Sequence, residues 1–275
     1  MIPERLELPE PSQAVLRAAR ALLRRKGRRA ARRFLAEGPQ AIREALKLPG
    51  TVETVFFRWS AVHDHVDLLT AARAADVPCY ALSEQNLATL TDTVTPQGVV
   101  AVCRALDLSL SDALADDPQL VVVCAQIRNP GNAGTVIRCA DAFGADAVIL
   151  SSDSVEVYNP KTVRASVGSI FHLPVVTGVD LAEAIDACRT AGLQVFATDG
   201  EAGTELTDLA DRLAEPTAWV MGNESWGLPT EHLQLADTTV AVPIYGAAES
   251  LNLATAAAVC LYASASAQHT AHPVE

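Results

Sequence analysis

The chain has 275 residues, of which 49% are apolar and 20% charged, and its formal net charge is −12. This composition excludes a mainly disordered protein and is typical of a well-buried α/β core. A signal-peptide pattern and an uncharged apolar run of about 18 residues are both missing, which favours a cytoplasmic protein without a membrane span.

Positive charge is concentrated at the N-terminal end. Residues 1–33 contain ten Lys or Arg and three Glu, whereas the other 242 residues contain 11 bases and 30 acids. This split predicts a polyanion-binding segment on an otherwise acidic body, with a solvated basic helix as the alternative.

The cysteines are too widely spaced for a disulfide or zinc framework, which favours buried thiols in a reducing cytoplasm. They are Cys79, Cys103, Cys124, Cys139, Cys188 and Cys260. His63 and His65 have the spacing of a ligand pair, but no third ligand stands nearby. We therefore expect a surface histidine pair and no metal site.

The first 105 residues predict a small unit in which helices and strands alternate. Helices are expected at 11–33, 39–48, 62–75 and 84–90, and strands at 52–58, 78–82 and within 95–103. Ser83 is a plausible N-cap for the helix that follows it. The acidic, proline-containing stretch 106–118 is interpreted as a linker or an interdomain helix.

The second half predicts an α/β fold with a parallel sheet and helices on both faces. Strands are expected at 120–124, 147–150, 172–176, 194–198, 218–221 and 238–242, and helices from 132 to 143, at 181–191 and at 251–264. The first of these strands is hydrophobic throughout, as in strands buried on both faces of a parallel sheet. The predicted domains are therefore 1–105 and 119–275, joined by 106–118.

Three polar, glycine-containing loops follow strands in this second half. They span 126–146, 218–229 and 243–252. Ligands of open α/β sheets bind beyond the carboxyl ends of the strands, so we expect the three loops to converge on one site.

The first of these loops opens a helix. Gly131 and Gly134 lie at its entry, where exposed amide groups suit an anion or a polar ligand. Asn132 is expected to be the N-cap. Arg138 stands among apolar residues and needs an anionic partner or an outlet to water, so a structural ion pair is the alternative to a functional role. The third glycine of a dinucleotide fingerprint is missing, which argues against a Rossmann enzyme.

The other two loops add further polar groups. Gly222 would let the backbone approach a ligand closely, and Glu224 is either a site residue or an ordinary acid near a helix start. Ser250 is expected to cap the last helix, which leaves Asn252 pointing sideways from the first turn. We assign no role to Glu249.

In this order the loops resemble the three motifs of a known family. The stretches NPGNAGTVIR (129–138), GNESWGLP (222–229) and VPIYGAAESLN (242–252) are similar to those of the SpoU/TrmH family of RNA ribose 2′-O-methyltransferases, which belongs to the SPOUT class. The resemblance covers about residues 119–265. Upstream, RRFLAEGPQAIREAL and TPQGVVAV resemble the small substrate-binding domain of many members, which is similar to the ribosomal-protein L30e/L7Ae fold.

The resemblance implies a deep trefoil knot, S-adenosylmethionine (AdoMet) as cofactor, a homodimer and an RNA acceptor. The loops at 198–200, 221–225 and 242–251 would form the knot and bind the cofactor, without a metal. The implied cofactor-binding residues are Thr198, Gly222, Val242, Ile244 and Leu251. Large-subunit ribosomal RNA is the expected acceptor, with transfer RNA as the alternative.

The resemblance also implies a set of catalytic residues. They are Arg138, Asn132, Glu224, Ser250 and Asn252, with Asn252 aimed toward Arg138 and Glu224. An arginine, with a pKa above about 12, is a poor base, so we expect Arg138 to bind the adjacent phosphate and stabilise the developing alkoxide. A non-catalytic RNA-binding protein is the alternative from another class. Loss of Arg138, Asn252 or the Gly222 loop would favour it, and all three are present.

Overall fold

A computed structural model describes residues 8–271 of the chain. Arg5 of the basic segment and the outer ends of both predicted domains lie outside these residues. None of the helices within the described range has the length and apolarity needed to cross a membrane.

Contacts divide the described chain into two units. The first comprises the residues up to Ala105 together with Tyr158–Phe171, and the second comprises Leu106–Val157 together with the residues from His172 onward. The division predicted from sequence did not include the excursion at 158–171, and its boundaries stay a prediction.

The first unit contains a four-stranded mixed sheet. Its elements up to residue 105 are α1 (Gln13–Ala21), α2 (Arg25–Ala31), β1 (Arg33–Glu37), α3 (Pro39–Lys47), β2 (Val52–Arg58), α4 (Val66–Ala74), β3 (Cys79–Leu82), α5 (Glu84–Ala88) and β4 (Val99–Arg104). The strand order is β1-β4-β2-β3, with β4 antiparallel to both neighbours and β2 parallel to β3. Ser83 caps α5 as predicted, because its hydroxyl accepts the amide hydrogen of Asn86 at 3.2 Å.

The basic segment forms two helices, so the single predicted helix at 11–33 is wrong. Arg28 on α2 is buried and donates to the carbonyl oxygens of Leu22 and Leu23 at the end of α1, at 2.9 and 3.0 Å. Gly27 permits this close return of the chain, since a Cβ there would lie 2.0 Å from the carbonyl oxygen of Ala21. One arginine of the segment thus satisfies the backbone of its own fold.

The second unit is built on a six-stranded sheet. From Leu106 onward the elements are α6 (Leu110–Ala113), β5 (Leu120–Cys124), α7 (Pro130–Ala142), β6 (Ala147–Ser151), α8 (Pro160–Ser166), β7 (Val175–Val179), α9 (Leu181–Thr190), β8 (Gln194–Thr198), β9 (Thr217–Met221), α10 (Thr230–Leu233), β10 (Thr238–Val240) and α11 (Leu253–Ala271). Of these, α8 belongs to the first unit. The strands lie in the order β10-β8-β9-β5-β6-β7, and every adjacent pair is parallel. The predicted parallel α/β sheet is confirmed.

Helices cover both faces of this sheet because alternate strand residues face opposite sides. Val220 packs in one cluster with Ala184 and Ile185 of α9. Its neighbour Trp219 is fully buried and donates from Nε1 to Ser264 Oγ of α11 at 2.9 Å. In the centre of the sheet, β5 and β9 are adjacent, so the loops that follow them leave side by side at the edge where α/β sheets bind ligands.

The excursion at 158–171 belongs to the first unit through aromatic and ionic contacts. The ring of Phe34 stacks on Tyr158 at 4.5 Å and on Phe171 at 6.0 Å. Arg164 of α8 pairs with Glu37 at 3.2 Å and also with Asp92. The sequence did not predict the helix α8 that this segment contains.

Candidate active site

A cavity of about 540 Å³ lies at the carboxyl ends of β8, β9 and β10. Its walls come from three stretches of the second unit, within 198–205, 221–227 and 240–256. All five predicted cofactor residues line it, namely Thr198, Gly222, Val242, Ile244 and Leu251, as do Glu224 and Ser250. The volume is in the range of pockets that hold a small molecule or cofactor.

The loop between β10 and α11 has unused backbone groups beside this cavity. Within the described part of the chain, residues 242–251 form no hydrogen bond with other residues. Backbone N–H and C=O groups require a partner, either water or ligand. This loop therefore presents free donors and acceptors to whatever occupies the cavity.

The turn after β9 is rigid. Asn223 and Gly227 exchange backbone hydrogen bonds at 2.8 and 3.0 Å. A Cβ at Gly222 would lie 2.5 Å from the carbonyl carbon of Gly227. Gly222 therefore permits a close approach between two parts of the turn. It also lines the cavity, and its expected close approach to a ligand stays a prediction.

Asn223 ties this turn to the loop after β5, and sequence reasoning gave it no role. Its side chain is buried, donates from Nδ2 to the carbonyl oxygen of Gln126 at 2.7 Å and accepts the amide hydrogen of Ser225 at 2.8 Å. Gln126 has a φ of +55°, a strained conformation that such a bond helps to hold. The available signal was a polar residue directly after a fully buried strand.

Hydrogen bonds join the three predicted loops. Glu224 Oε1 accepts from Asn132 Nδ2 at 3.2 Å, and Asn132 Oδ1 accepts from Asn252 Nδ2 at 3.2 Å. The predicted convergence of Asn132, Glu224 and Asn252 is thus present in the second unit.

Glu224 also receives the backbone of the first loop. Its carboxylate accepts the amide hydrogens of Arg128 at 3.2 Å and Asn129 at 3.0 Å. Partial burial acts to raise the pKa of Glu224, but the hydrogen bonds to its carboxylate outweigh burial and hold that pKa below the ordinary value. In its charged form the side chain accepts hydrogen bonds from three other residues, Arg128, Asn129 and Asn132.

Two helix caps differ from those expected. Asn129, not Asn132, caps α7, because its side chain accepts from Gly131 N at 2.8 Å. The last helix begins at Leu253, and Asn252 accepts from Ala254 N at 2.9 Å, so Asn252 rather than Ser250 acts as the cap. Ser250 instead lies exposed on the cavity wall.

Arg138 stands apart from this network. It lies on α7, is exposed, and its guanidinium contacts no acidic or acceptor group among residues 8–271. Asn252 is hydrogen-bonded to Asn132 and to its own helix, with no hydrogen bond to Arg138, and its expected orientation toward Arg138 stays a prediction. Although its sequence neighbours are apolar, Arg138 is exposed to solvent. Its positive charge is therefore available to an external ligand.

The remaining wall of the cavity is acidic. Asp199 and Glu205 line it beside Thr198, whose hydroxyl donates to the carbonyl oxygen of Val220 at 3.2 Å. No group of three or more His, Cys, Asp or Glu in the described chain is arranged to hold a metal ion.

Comparison with protein-family models gives two matches. Residues 119–262 match the SpoU rRNA Methylase family, and residues 14–101 match the MRM3-like substrate binding domain. The two matched regions together span most of the chain.

Known proteins match over similar lengths. The chain is 37% identical over 229 residues to the 23S rRNA (guanosine(2553)-2′-O)-methyltransferase RlmP of Bacillus subtilis, covering 83% of this chain and 87% of that protein. It is 36% identical over 200 residues to the 23S rRNA (guanosine-2′-O-)-methyltransferase RlmB of Ralstonia nicotianae, covering 71% and 80%.

A solved structure shares the fold over nearly the whole chain. It is the SpoU methyltransferase AviRb from Streptomyces viridochromogenes in complex with the cofactor AdoMet. The TM-score is 0.81 at 32% identity, covering 94% of this chain and 100% of that one.

Proposed function

Because the chain belongs to the SpoU rRNA methylase family, we propose that it transfers a methyl group from AdoMet to a ribose 2′-hydroxyl of 23S ribosomal RNA. The names of both matched relatives state 2′-O-methylation of 23S rRNA, and the matched structure holds AdoMet. The observation that carries the proposal is the hydrogen-bonded chain Glu224–Asn132–Asn252, which joins all three motif loops beside one cavity.

The cavity suits the cofactor in size and in the kind of groups that it offers. A neutral adenine needs an apolar pocket with a few placed donors and acceptors. The side chains of Ile244 and Leu251 supply apolar surface, and the unpaired backbone of residues 242–251 supplies the polar groups. When bound, AdoMet supplies a methyl group activated by its positive sulfur.

The acceptor hydroxyl must be held in line with the methyl group and made more nucleophilic. Alignment of reacting atoms near 3 Å supplies a large part of the rate enhancement in such displacements. We assign that positioning to Asn132, Glu224, Ser250 and Asn252. Glu224 stays ionised and holds Asn132 in place, so Asn132 keeps its carbonyl oxygen toward Asn252.

We assign stabilisation of the acceptor oxygen to Arg138. A guanidinium does not give up its proton in this pH range, but it binds a phosphate or a developing alkoxide through paired donors. Its exposure and lack of a partner within the described chain leave it able to meet RNA. Arg138→Lys would keep the charge and lose the paired donors, so full activity of that variant would contradict this role.

We further propose that residues 198–200, 221–225 and 242–251 form a trefoil knot. In support, Leu206 N donates to the carbonyl oxygen of Ala241 at 2.8 Å, and Ala241 N donates to that of Thr204 at 2.9 Å. The chain thus runs along the 199–206 loop before α11 packs against α7 and β9. A knot predicts refolding from denaturant that is slower than the non-local contacts of the parallel sheet alone would give.

The proposed assembly is a homodimer with the cofactor pockets near the interface. The exposed side of α11 carries Val259 and Tyr262, and Tyr262 packs edge-on against Phe143, the residue after α7, at 5.7 Å. Such an apolar face on a two-helix layer suits a second copy of the chain. Replacing Tyr262 by Glu should convert the protein to monomer in sedimentation; an unchanged sedimentation coefficient from a dimeric wild type would exclude this face.

RNA capture is proposed for the first unit, whose matched model is a substrate binding domain. Its likeness to the L30e/L7Ae fold is part of this proposal. Of the basic segment, Arg17, Arg24, Lys26 and Arg29 are exposed, and their side chains have no hydrogen-bonding or ionic partner among the described residues. These four cations are therefore the ones available to phosphates.

The decisive experiment maps 2′-O-methyl groups in ribosomal and transfer RNA from cells with and without the gene. One 23S position should lose its methyl group in the deletion and regain it with the wild-type gene, but not with an Asn132→Ala variant. Loss at a tRNA position would favour the tRNA alternative. If the deletion removes no methyl group from either RNA, the methyltransferase proposal fails and the non-catalytic RNA-binding protein is favoured. The reaction is proposed to occur in the cytoplasm.

A further inference from the structure

Two large aromatic side chains project from the loops that border the cavity. Trp226, at the tip of the turn after β9, is 56% exposed, and Tyr245, in the loop after β10, is 88% exposed. Neither ring packs against another aromatic ring in the described chain. Single exposed apolar residues are common on protein surfaces, so their position and support must decide whether they matter.

Their position is next to the site's own residues. Trp226 is two residues from Glu224 and adjacent to Ser225 and Gly227, all three on the cavity wall. Tyr245 directly follows Pro243 and Ile244, which also line the cavity. Both residues therefore border the cavity proposed to hold AdoMet, and the acceptor ribose must approach that cavity to receive the methyl group.

The support of Trp226 is rigid. The paired hydrogen bonds between Asn223 and Gly227 close the turn, Gly227 has a φ of +67°, and the buried Asn223 side chain ties the turn to Gln126. Because the backbone of this turn is already fixed, little backbone entropy is lost when a flat ligand binds to the exposed ring. The free-energy cost of ordering the loop is therefore low.

The loops that border the cavity lack the basic residues that usually bind RNA phosphates. The stretches 199–205, 222–228 and 241–252 contain no Lys or Arg. They contain five acids, Asp199, Glu201, Glu205, Glu224 and Glu249. Phosphate contacts are unfavourable there, whereas base stacking on an aromatic ring needs no positive charge.

We propose that Trp226 and Tyr245 stack on nucleobases of the acceptor RNA next to the methylated nucleotide and so position its ribose. This inference rests on the proposed function. Unstacked, single-stranded bases are the usual targets of aromatic side chains in RNA recognition. The two rings hold the bases, while cations elsewhere on the chain, including Arg138, hold the phosphates.

The test separates an aromatic ring from mere apolar bulk. Binding of single-stranded oligoadenylate and of an abasic ribose-phosphate chain is measured on the full-length protein, together with AdoMet affinity. Trp226→Leu and Tyr245→Leu should each weaken oligoadenylate binding by about 5- to 140-fold, the range for loss of one stacked base. They should leave abasic-chain and AdoMet binding unchanged. Trp226→Phe and Tyr245→Phe should retain most of the affinity.

A direct readout uses the fluorescence of Trp226. Of the three tryptophans, Trp219 is fully buried, so a Trp59→Phe background leaves Trp226 as the exposed one. Oligoadenylate should quench its emission and the abasic chain should not. Equal quenching by both, or unchanged oligoadenylate affinity in both leucine variants, would overturn the proposal.

Two further outcomes are distinguishable. If Trp226→Leu lowers the dimer fraction and leaves RNA binding intact, the ring is a subunit contact and the proposal is wrong. If the wild type methylates no RNA but loses oligoadenylate affinity in the leucine variants, the proposed function fails and the stacking surface stands. With an active enzyme, the leucine variants should raise KM for ribosomal RNA more than they lower kcat.

Discussion

At the scale of single residues, Asn252 serves two purposes with one side chain. Its Oδ1 caps α11 through Ala254, and its Nδ2 donates to Asn132. Asn132 cannot reverse its amide to suit a different neighbour, because its own Nδ2 is needed by Glu224. The two functions of Asn252 can therefore be separated by substitution.

Asn252→Asp should keep the cap and lose the bond to Asn132. We expect its thermal stability to stay close to wild type, while kcat falls about 10- to 100-fold because the motif loops lose their alignment. Asn252→Ala should lose both and cost roughly 0.5–2 kcal/mol of stability as well. Denaturant unfolding and methyl-transfer kinetics check this pair. Equal stability loss in both variants would contradict the capping role.

Glu224 predicts a pH dependence of stability with a definite sign. The folded pKa lies below the ordinary value, so its stabilisation is fully present above the unfolded pKa, about 4.3, and is lost as pH falls through the folded pKa. Glu224→Gln should lower stability at neutral pH by roughly 1–3 kcal/mol and flatten the acid limb of a Tm-versus-pH profile. Glu249→Gln, at an exposed residue without hydrogen bonds among the described residues, is the control and should change stability at neutral pH by less than about 0.5 kcal/mol.

The sequence predicts that Asn132, Glu224 and Asn252 lie together, but it does not predict their local roles. Asn132, Glu224 and Asn252 stand out because polar groups after buried strands have few structural explanations. Their caps were misassigned because Asn129 and Asn132 are equally good capping residues by type. Only the point at which the backbone turns into the helix decides between them.

At the scale of elements, the turn after β9 depends on the absence of one side chain. Gly222→Ala would place a Cβ 2.5 Å from the Gly227 carbonyl carbon, against backbone that cannot move without breaking the paired hydrogen bonds. We expect a loss of about 1–3 kcal/mol or more in denaturant unfolding. Gly203→Ala, with nothing within 4 Å of the added Cβ, should change stability by less than about 0.5 kcal/mol.

Helices and strands with a clear hydrophobic periodicity or a mainly apolar run could be predicted from the sequence. Elements that depend on contacts between residues far apart in the sequence could not. The apolar run of β5 and the mainly apolar runs of β8 and β9 located these three strands. The strand β1 went unrecognised because its few apolar residues directly follow the basic helices and become a strand only by pairing with β4. The break between α1 and α2 also depends on a tertiary contact, that of Arg28 with the end of α1. In the sequence Arg28 is one of many arginines, and a single glycine lowers helix propensity without locating a break.

At the scale of the whole molecule, positive charge is concentrated in residues 1–33, and the rest of the sequence is acidic. Removing the charges of Arg17, Arg24, Lys26 and Arg29 should reduce the slope of log affinity for RNA against log salt by about 0.7–0.9 per lost phosphate contact. Arg33→Gln is the matched control, because Arg33 is already paired with Glu53. An equal effect of that control would mean that net charge alone matters. Filter binding over a salt series measures both.

The excursion at 158–171 bears on how such a protein can be rearranged by recombination or by design. The polypeptide passes between the two units three times, after Ala105, after Val157 and after Phe171. A chimera that exchanged only residues up to 105 would deprive Phe34 of its two stacking rings and leave Glu37 and Asp92 without Arg164. The first unit is therefore not a separable module. A transplant has to carry both pieces, and a swap at the apparent linker alone should yield an insoluble product.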